Sequence, residues 1–437
     1  MRIMKLGRHF VECLKALAHP SAWHWKKCPH CGSTVTVRNG SYTRHPHTLD
    51  GPTVVRIQRH LCRDCGRSYA EQPPQLVPHS WYGRGVHRLG VDFWCHGRMS
   101  LRRVAEIVRS WVGHQERWWD WHPWQEPHGP ATCRLHASTL QRWLDRAGQR
   151  AEATAEDQWA GVISSGLLAA DGTWTRLRGD VIRVVLVLVD RVSGLLWPPV
   201  VAEGEQGQLP WDRLFDRARE AGLDVWHLRG VVSDGAQGLQ AHLHWRRPRV
   251  RQQRCVFHLW RTLKRRLQEA LGAYLPDGAD AASRAMRAVL WAGVERSIRS
   301  FLDGPYEAAA EGEDPEAVAE GVLEELRASP LGRVVAEELE RYREPALAAC
   351  QPALAGLGRV GPEWIWRDWR QRLSRGHNHG REERLLRAAW VWTIYRNFTP
   401  RQPRRERKRA YPHGGESPLE VAGVDTRGIS YLDALGI

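Results

Sequence analysis

The sequence predicts a multi-domain α/β protein: a mixed-sheet core interrupted by an all-α block, and preceded by a metal-stapled ribbon and a small helical domain. Three observations carry this. A chain of 437 residues exceeds what one small core supports. Two Cys-x-x-Cys pairs bracket an early stretch of alternating β-branched residues. Apolar periodicity turns strand-like at residue 165, and no strand signal remains between 275 and 370.

Residues 1–24 read as a short N-terminal helix. The ribbon, 25–73, contains Cys28, Cys31, Cys62 and Cys65, each pair followed by glycine as in knuckles that aim two thiolates at one ion. Four thiolates close a tetrahedral structural Zn²⁺ site, and the intervening loop is a tolerable insertion. The alternating residues Thr34–Val37 and Val54–Ile57 predict hairpin strands.

Residues 74–155 predict a helical, helix-turn-helix-like DNA-binding domain. One helix has Ser100 as N-cap and Leu101, Val104, Ile107, Val108 and Trp111 on one face. A second has Ser138 as N-cap, Leu140, Trp143 and Leu144 inward, and Arg142 and Arg146 available to DNA.

The core begins at 163 and its first part runs to 273. Leu167–Thr175, Val181–Asp190 and Gly194–Val201 predict three consecutive strands, the second apolar on both faces as an interior strand is. An amphipathic helix, the strand LRGVVSD, a short helix, the strand VRQQRCVF and a basic helix follow. That order is of ribonuclease H type. An all-α insertion (274–372), a second core part (373–400) built on a long apolar helix, and a basic tail (401–437) complete the chain.

Asp171 and Asp234 each end an apolar strand. Either alone is an ordinary Asp-Gly turn residue. Together, on adjacent strands, they match the carboxylates that bridge Mg²⁺ (or Mn²⁺) in phosphoryl transfer. A third acid is expected from the last helix. Glu382 lies nearer its apolar stripe than Glu383, which remains the alternative. The run His377-Asn378-His379 is not an HNH nuclease site, whose ligands are dispersed through a ββα unit.

The chain carries 64 Lys+Arg against 49 Asp+Glu, a formal net charge of +15, and nearly all the cations are Arg. Planar Arg suits phosphate, and the excess favours nucleic acid before membrane as partner. Arg404, Arg405, Arg407, Lys408 and Arg409 are candidate phosphate contacts. No apolar run approaches the roughly 18 residues of a membrane helix, and the N-terminus lacks a secretory core. Nine cysteines, an odd number, argue against a disulfide framework.

The segment QRCVFHLWRTLKRR after a strand–Ser-Asp-Gly element resembles the Cys/His signature of Mutator-like and related prokaryotic insertion-sequence transposases. CPHCGS…RHLCRDCGRSY is similar to the zinc ribbons that open many of them, and the resemblance spans about 25–430. It implies Asp171, Asp234 and Glu382 (or Glu383) as metal-binding catalytic acids, with Cys255 and His258 beside them. The departure is at the third acid, where His379 stands in place of an expected Asn. The implied function is Mg²⁺-dependent strand cleavage and transfer on double-stranded DNA, at element ends and target, by a homodimer or larger synaptic complex. The implied setting is prokaryotic cytoplasm, nucleoid-associated when on DNA. The alternatives are an inactive transposase-derived DNA-binding regulator and a host nuclease that cleaves without joining.

Overall fold

A computed structural model describes residues 27–97, 99–119, 133–274, 280–376, 380–400 and 415–437. The expected N-terminal helix and the cations from Arg404 to Arg409 lie outside the described residues. The ribbon is a three-stranded antiparallel sheet of β1 (Thr36–Arg44), β4 (Val55–Cys62) and β5 (Ser68–Ala70), in the order β1–β4–β5. The long spacing between the cysteine pairs is taken up by β1, β4 and a small pair, β2 (His47–Thr48) with β3 (Gly51–Pro52).

Three helices follow: α1 (Arg84–Cys95), α2 (Leu101–Trp119) and α3 (Ala137–Ala153). Ser100 accepts the Arg103 amide at 3.3 Å, as an N-cap does. Val104, Ala105, Val108 and Val112 face the small core with Val86, Leu140 and Trp143. Trp111 does not join them: it is 54% exposed, because the buried stripe continues through Val112. Nor does Ser138 cap α3, which starts two residues earlier, at Ala137 after His136, without a side-chain cap.

The central sheet holds β6 (Leu167–Arg176), β7 (Ile182–Asp190), β8 (Val200–Ala202), β9 (Gly230–Ser233) and β10 (Arg251–Arg254), in the order β10–β9–β6–β7–β8. β6 and β7 are antiparallel, as are β7 and β8, whereas β6, β9 and β10 run parallel. The third strand is shorter than its sequence suggests. Pro198 and Pro199 lack the amides a ladder needs, so pairing is confined to Val200–Ala202 and one bridge, Val189 to Leu196. Helices α4 (Gln208–Glu220) and α5 (Gln237–Arg246) connect the parallel strands.

From α6 (Val256–Tyr274) the described chain is helical: α7 (Ala281–Glu311), α8 (Pro315–Arg327) and α9 (Pro330–Arg341). Leu259, Leu263, Leu267 and Leu271, one turn apart on α6, form a separate core with Ile298, Phe301, Leu323, Val335 and Leu339. α10 (Glu363–Gly376) and α11 (Glu382–Phe398) return to the sheet, where Trp366, Trp369, Trp390 and Trp392 are buried. Arg372 of α10 is buried and ion-paired to Asp368 at 3.2 Å. It also donates to the carbonyls of Trp94 and Cys95, covering the open end of α1.

Residues 415–437 fold back instead of trailing as a basic tail. Ser417/Glu420 and Ser430/Asp433 form capping boxes, Arg88 pairs with Asp433 at 2.7 Å, and the Tyr431 hydroxyl donates to Asp92. No helix among the described residues is long and apolar enough to cross a membrane.

α3 packs on α11 so closely that any Cβ at Gly148 would collide with the Arg387 backbone. Gly148→Ala is therefore expected to cost about 1–3 kcal/mol, as overpacking does, and to lower the thermal midpoint by several degrees in calorimetry.

Candidate active site and metal centres

The register of the central sheet determines where the first two acids lie. Ala170 pairs with Ser233 across the parallel strands β6 and β9, so Asp171 and Asp234 follow at the same level on neighbouring chains. Gly235, with φ +83°, turns the backbone away at once, and Asp234 accepts the Ala236 amide at 3.0 Å. Asp171 is 5% exposed. It accepts the Gly172 amide at 2.8 Å and the Trp366 indole at 2.7 Å. Burial, reinforced by Asp234 and Glu363, raises its carboxyl well above the usual range despite these donors.

Glu363 opens α10, one turn before Trp366, so both share the helix face turned to Asp171. Its Oε1 lies 3.3 Å from His258 Nε2. That oxygen and His258 Nδ1 are buried without hydrogen-bond partners. Cys255 caps the start of α6, and its sulfur accepts the Gly361 amide at 3.2 Å. Burial pushes the Cys255 thiol up and the His258 imidazole down.

Glu205, in the loop after β8, is 7% exposed. It accepts the Trp174 indole at 3.1 Å, and its other oxygen lies over Gly172, where a side chain would strike it. Burial first, and Asp234 second, raise its carboxyl to about 7.

Glu382 and Glu383 are exposed at the start of α11. Glu382 is held 2.6 Å from Arg183, whose β6 partner is Thr175. Thr175 is four residues beyond Asp171 on the strand, about 13 Å at 3.3 Å per residue. The carboxylate that joins Asp234 in acting on Asp171 is that of Glu363. Glu363 fell within the predicted all-α insertion, and its only sequence signal is an acid after Gly361-Pro362 at a helix start. Glu205 sits in a polar turn that carries no such signal.

The segment 199–274 matches the family model described as Transposase, Mutator family. It runs from β8 through Glu205, Asp234, Cys255 and His258 to the end of α6. The resemblance of this chain is to Mutator-like insertion-sequence transposases. The chain is also 25% identical over 241 residues to the transposase for insertion sequence element IS905 of Lactococcus lactis subsp. lactis (strain IL1403). That alignment covers 53% of this chain and 53% of the relative, so the chain spans about half the length of the curated protein it matches. The Mutator segment contains one of the two strand-end aspartates; Asp171 and Glu363 lie to either side.

In the ribbon, Cys28 and Cys65 sulfurs are 3.7 Å apart and those of Cys31 and Cys62 3.6 Å. Four sulfurs about 2.3 Å from a tetrahedral zinc stand about 3.8 Å apart, so the cage has the size of a zinc site. The two knuckles repeat one backbone pattern: Gly32 and Gly66 adopt positive φ and donate to the carbonyls of Cys28 and Cys62. The Cys65 and Asp64 amides help lower the Cys62 thiol to about 7.

Arg142 and Arg146 stand exposed on α3, beside a cavity of about 650 Å³ also lined by Arg134, Thr139, Trp81 and His79. His79 holds φ +55°, an uncommon conformation for a non-glycine residue. Trp81 is 76% exposed. Beneath them His87 stacks on Trp143 at 3.7 Å, and burial drives its imidazole down to about 3.

Cys62→Ser is expected to remove one tightly held zinc per chain and unfold the ribbon, read by metal analysis and proteolysis. A carboxyl raised in the folded state makes folding less favourable as pH climbs from its unfolded value through its folded one. For Glu205 that interval is about 4.5 to 7. Without divalent ions, the thermal midpoint of wild type should fall more steeply across this interval than that of Glu205→Gln.

Proposed function

We propose that this chain is a DNA transposase that cleaves element-end DNA and joins a 3′-hydroxyl to target DNA, using Asp171, Asp234 and Glu363 as its metal-binding acids. The observation that carries the proposal is the level register of the two aspartates on β6 and β9, with Glu363 bearing on the first of them. The strand order and directions support a ribonuclease H-type core, with α6 to α9 as its helical insertion. The family match and the relative's name support the activity.

Two carboxylates level on neighbouring strands and a third whose charge is felt by the first are the all-oxygen donor set a hard divalent cation takes. Asp171, Asp234 and Glu363 would hold Mg²⁺ or Mn²⁺. When bound, the ions supply an activated water or 3′-hydroxyl and neutralise the leaving oxygen. The chain's own residues do the rest. Trp366 fixes one Asp171 oxygen and the Gly172 amide the other, which together orient the carboxyl. Trp366 and its buried neighbours exclude water, which strengthens each charge interaction. His258, kept neutral by burial, can donate to a phosphate oxygen without adding charge. Glu205 can hold or release a proton near neutral pH.

Arg134, Arg142 and Arg146 around the cavity suit a phosphate backbone, with Trp81 as a stacking surface. α2 and α3 would form the helix-turn-helix that carries it, with the zinc ribbon alongside. Arg404, Arg405, Arg407, Lys408 and Arg409 add phosphate contacts in this reading. Two element ends must meet in one reaction, so a dimer or larger synaptic assembly is proposed.

Cleavage and strand transfer on element-end DNA with Mg²⁺ test this. Asp171→Asn, Asp234→Asn and Glu363→Gln should each lower cleavage by at least about 10²–10³-fold, while Glu382→Gln and Glu383→Gln stay within a few fold of wild type. Activity surviving in either Asp variant would sink the mechanism. A dead Glu382→Gln beside an active Glu363→Gln would move the third acid to α11.

A further inference from the structure

We propose that Cys255, His258 and Glu363 form a second metal site, for Zn²⁺ or another thiophilic divalent ion, adjoining the three acids. One ligand atom from each residue lies within 4.8 Å of the other two. The 3.3 Å between His258 Nε2 and Glu363 Oε1 equals the edge expected between a nitrogen and an oxygen on a zinc tetrahedron, about 3.3 Å for bonds near 2.0 Å. That pair is close but not aligned as a hydrogen bond: Oε1 has no hydrogen-bond partner, and neither does His258 Nδ1. An ion held between His258 Nε2 and Glu363 would give the orphaned Oε1 its partner, one of the explanations a buried unpaired polar atom calls for.

The backbone holds the three residues in place. Cys255 and His258 are three apart at the start of α6 and share one face. The Val256 amide donates to the Arg359 carbonyl at 2.9 Å, which ties this helix start to the approach to α10. Two helix N-termini therefore converge on the cluster, and each favours an anionic ligand: a thiolate at Cys255 and a carboxylate at Glu363. The Gly361 amide already points at the sulfur.

The donor set separates this site from its neighbour. Asp171 and Asp234 offer only oxygen, which suits Mg²⁺. Sulfur, nitrogen and oxygen in one trio suit zinc and leave a fourth position open, as in sites that bind water or substrate. Glu363 is common to both sites, so an ion at the trio draws on the carboxylate assigned above to Mg²⁺. The trio itself does not depend on that assignment.

The test uses the full chain with its ribbon filled by one equivalent of zinc, followed by equilibrium dialysis against Zn²⁺ and optical titration with Co²⁺. A second ion per chain is expected. Its Co²⁺ form should show tetrahedral d–d bands and a charge-transfer band of one thiolate, about a quarter of the four-thiolate intensity of a Co²⁺-filled ribbon. Cys255→Ser should abolish that band, His258→Ala should weaken binding at least tenfold, and Asp171→Asn should leave the second ion in place. A wild-type chain that stops at one ion overturns the inference, whatever the variants do. So does a charge-transfer band that survives Cys255→Ser. A chain that cleaves DNA with Mg²⁺ yet binds a single zinc keeps the transposase reading and loses this one. A chain that binds two zinc ions and cleaves nothing does the reverse.

Discussion

The hydrogen bond from the Trp366 indole to Asp171 is the contact on which the candidate site depends. It joins α10 to the central strand β6 across 195 residues of chain. Because Trp366 is one turn from Glu363, fixing the indole also fixes the carboxylate. Leaving such a buried donor and acceptor unpaired costs about 1–3 kcal/mol, enough to hold one helix register against its alternatives. The same helix extends to Arg372, which is paired with Asp368 and bonded to the end of α1. One helix thereby connects the acids, the tryptophan-rich core and the domain that bears the exposed arginines.

The contrast with Asp190 separates an acid that serves folding from one available to a ligand. Asp190 also ends a strand and is 1% exposed. Its two oxygens accept from the amides of Ser165, Val192 and Ser193 and from nearby serine hydroxyls. That carboxylate has its hydrogen-bonding capacity used by the turns around it. Asp171 has two donors and is surrounded by other acids, and Glu363 has an oxygen with no donor at all. Burial alone does not distinguish the two cases; the supply of donors does.

Much of this was legible in the sequence because it depends on local pattern. Continuous apolar runs gave β6 and β7, and glycines after each Cys-x-x-Cys marked the knuckles that bring four sulfurs together. Strand ends pointed to Asp171 and Asp234, and parallel pairing is what brings them level. The proposed third carboxylate, Glu363, was not legible. Glu363 and Glu382 both begin helices after a turn residue, and only the packing of tryptophans from α10 on the sheet distinguishes them. Glu205 lies in a loop whose burial depends on α4 and on Trp174, contacts that no periodicity encodes. Trp111 and Ser138 failed for a smaller reason: a helix face and a helix start lie one and two residues from where the local pattern puts them.

The seating of α3 against α11 at Gly148 has a geometric consequence. Backbones in contact over a glycine leave no room to slide, and Arg372 adds a second tie between α1 and the core. The element that bears the arginine-lined cavity is thus packed directly against the helices that flank the acids. On the proposed function, a duplex gripped at the cavity and cut at the acids would have the number of base pairs between the recognised sequence and the severed bond set by two helices, as a ruler, rather than by the DNA.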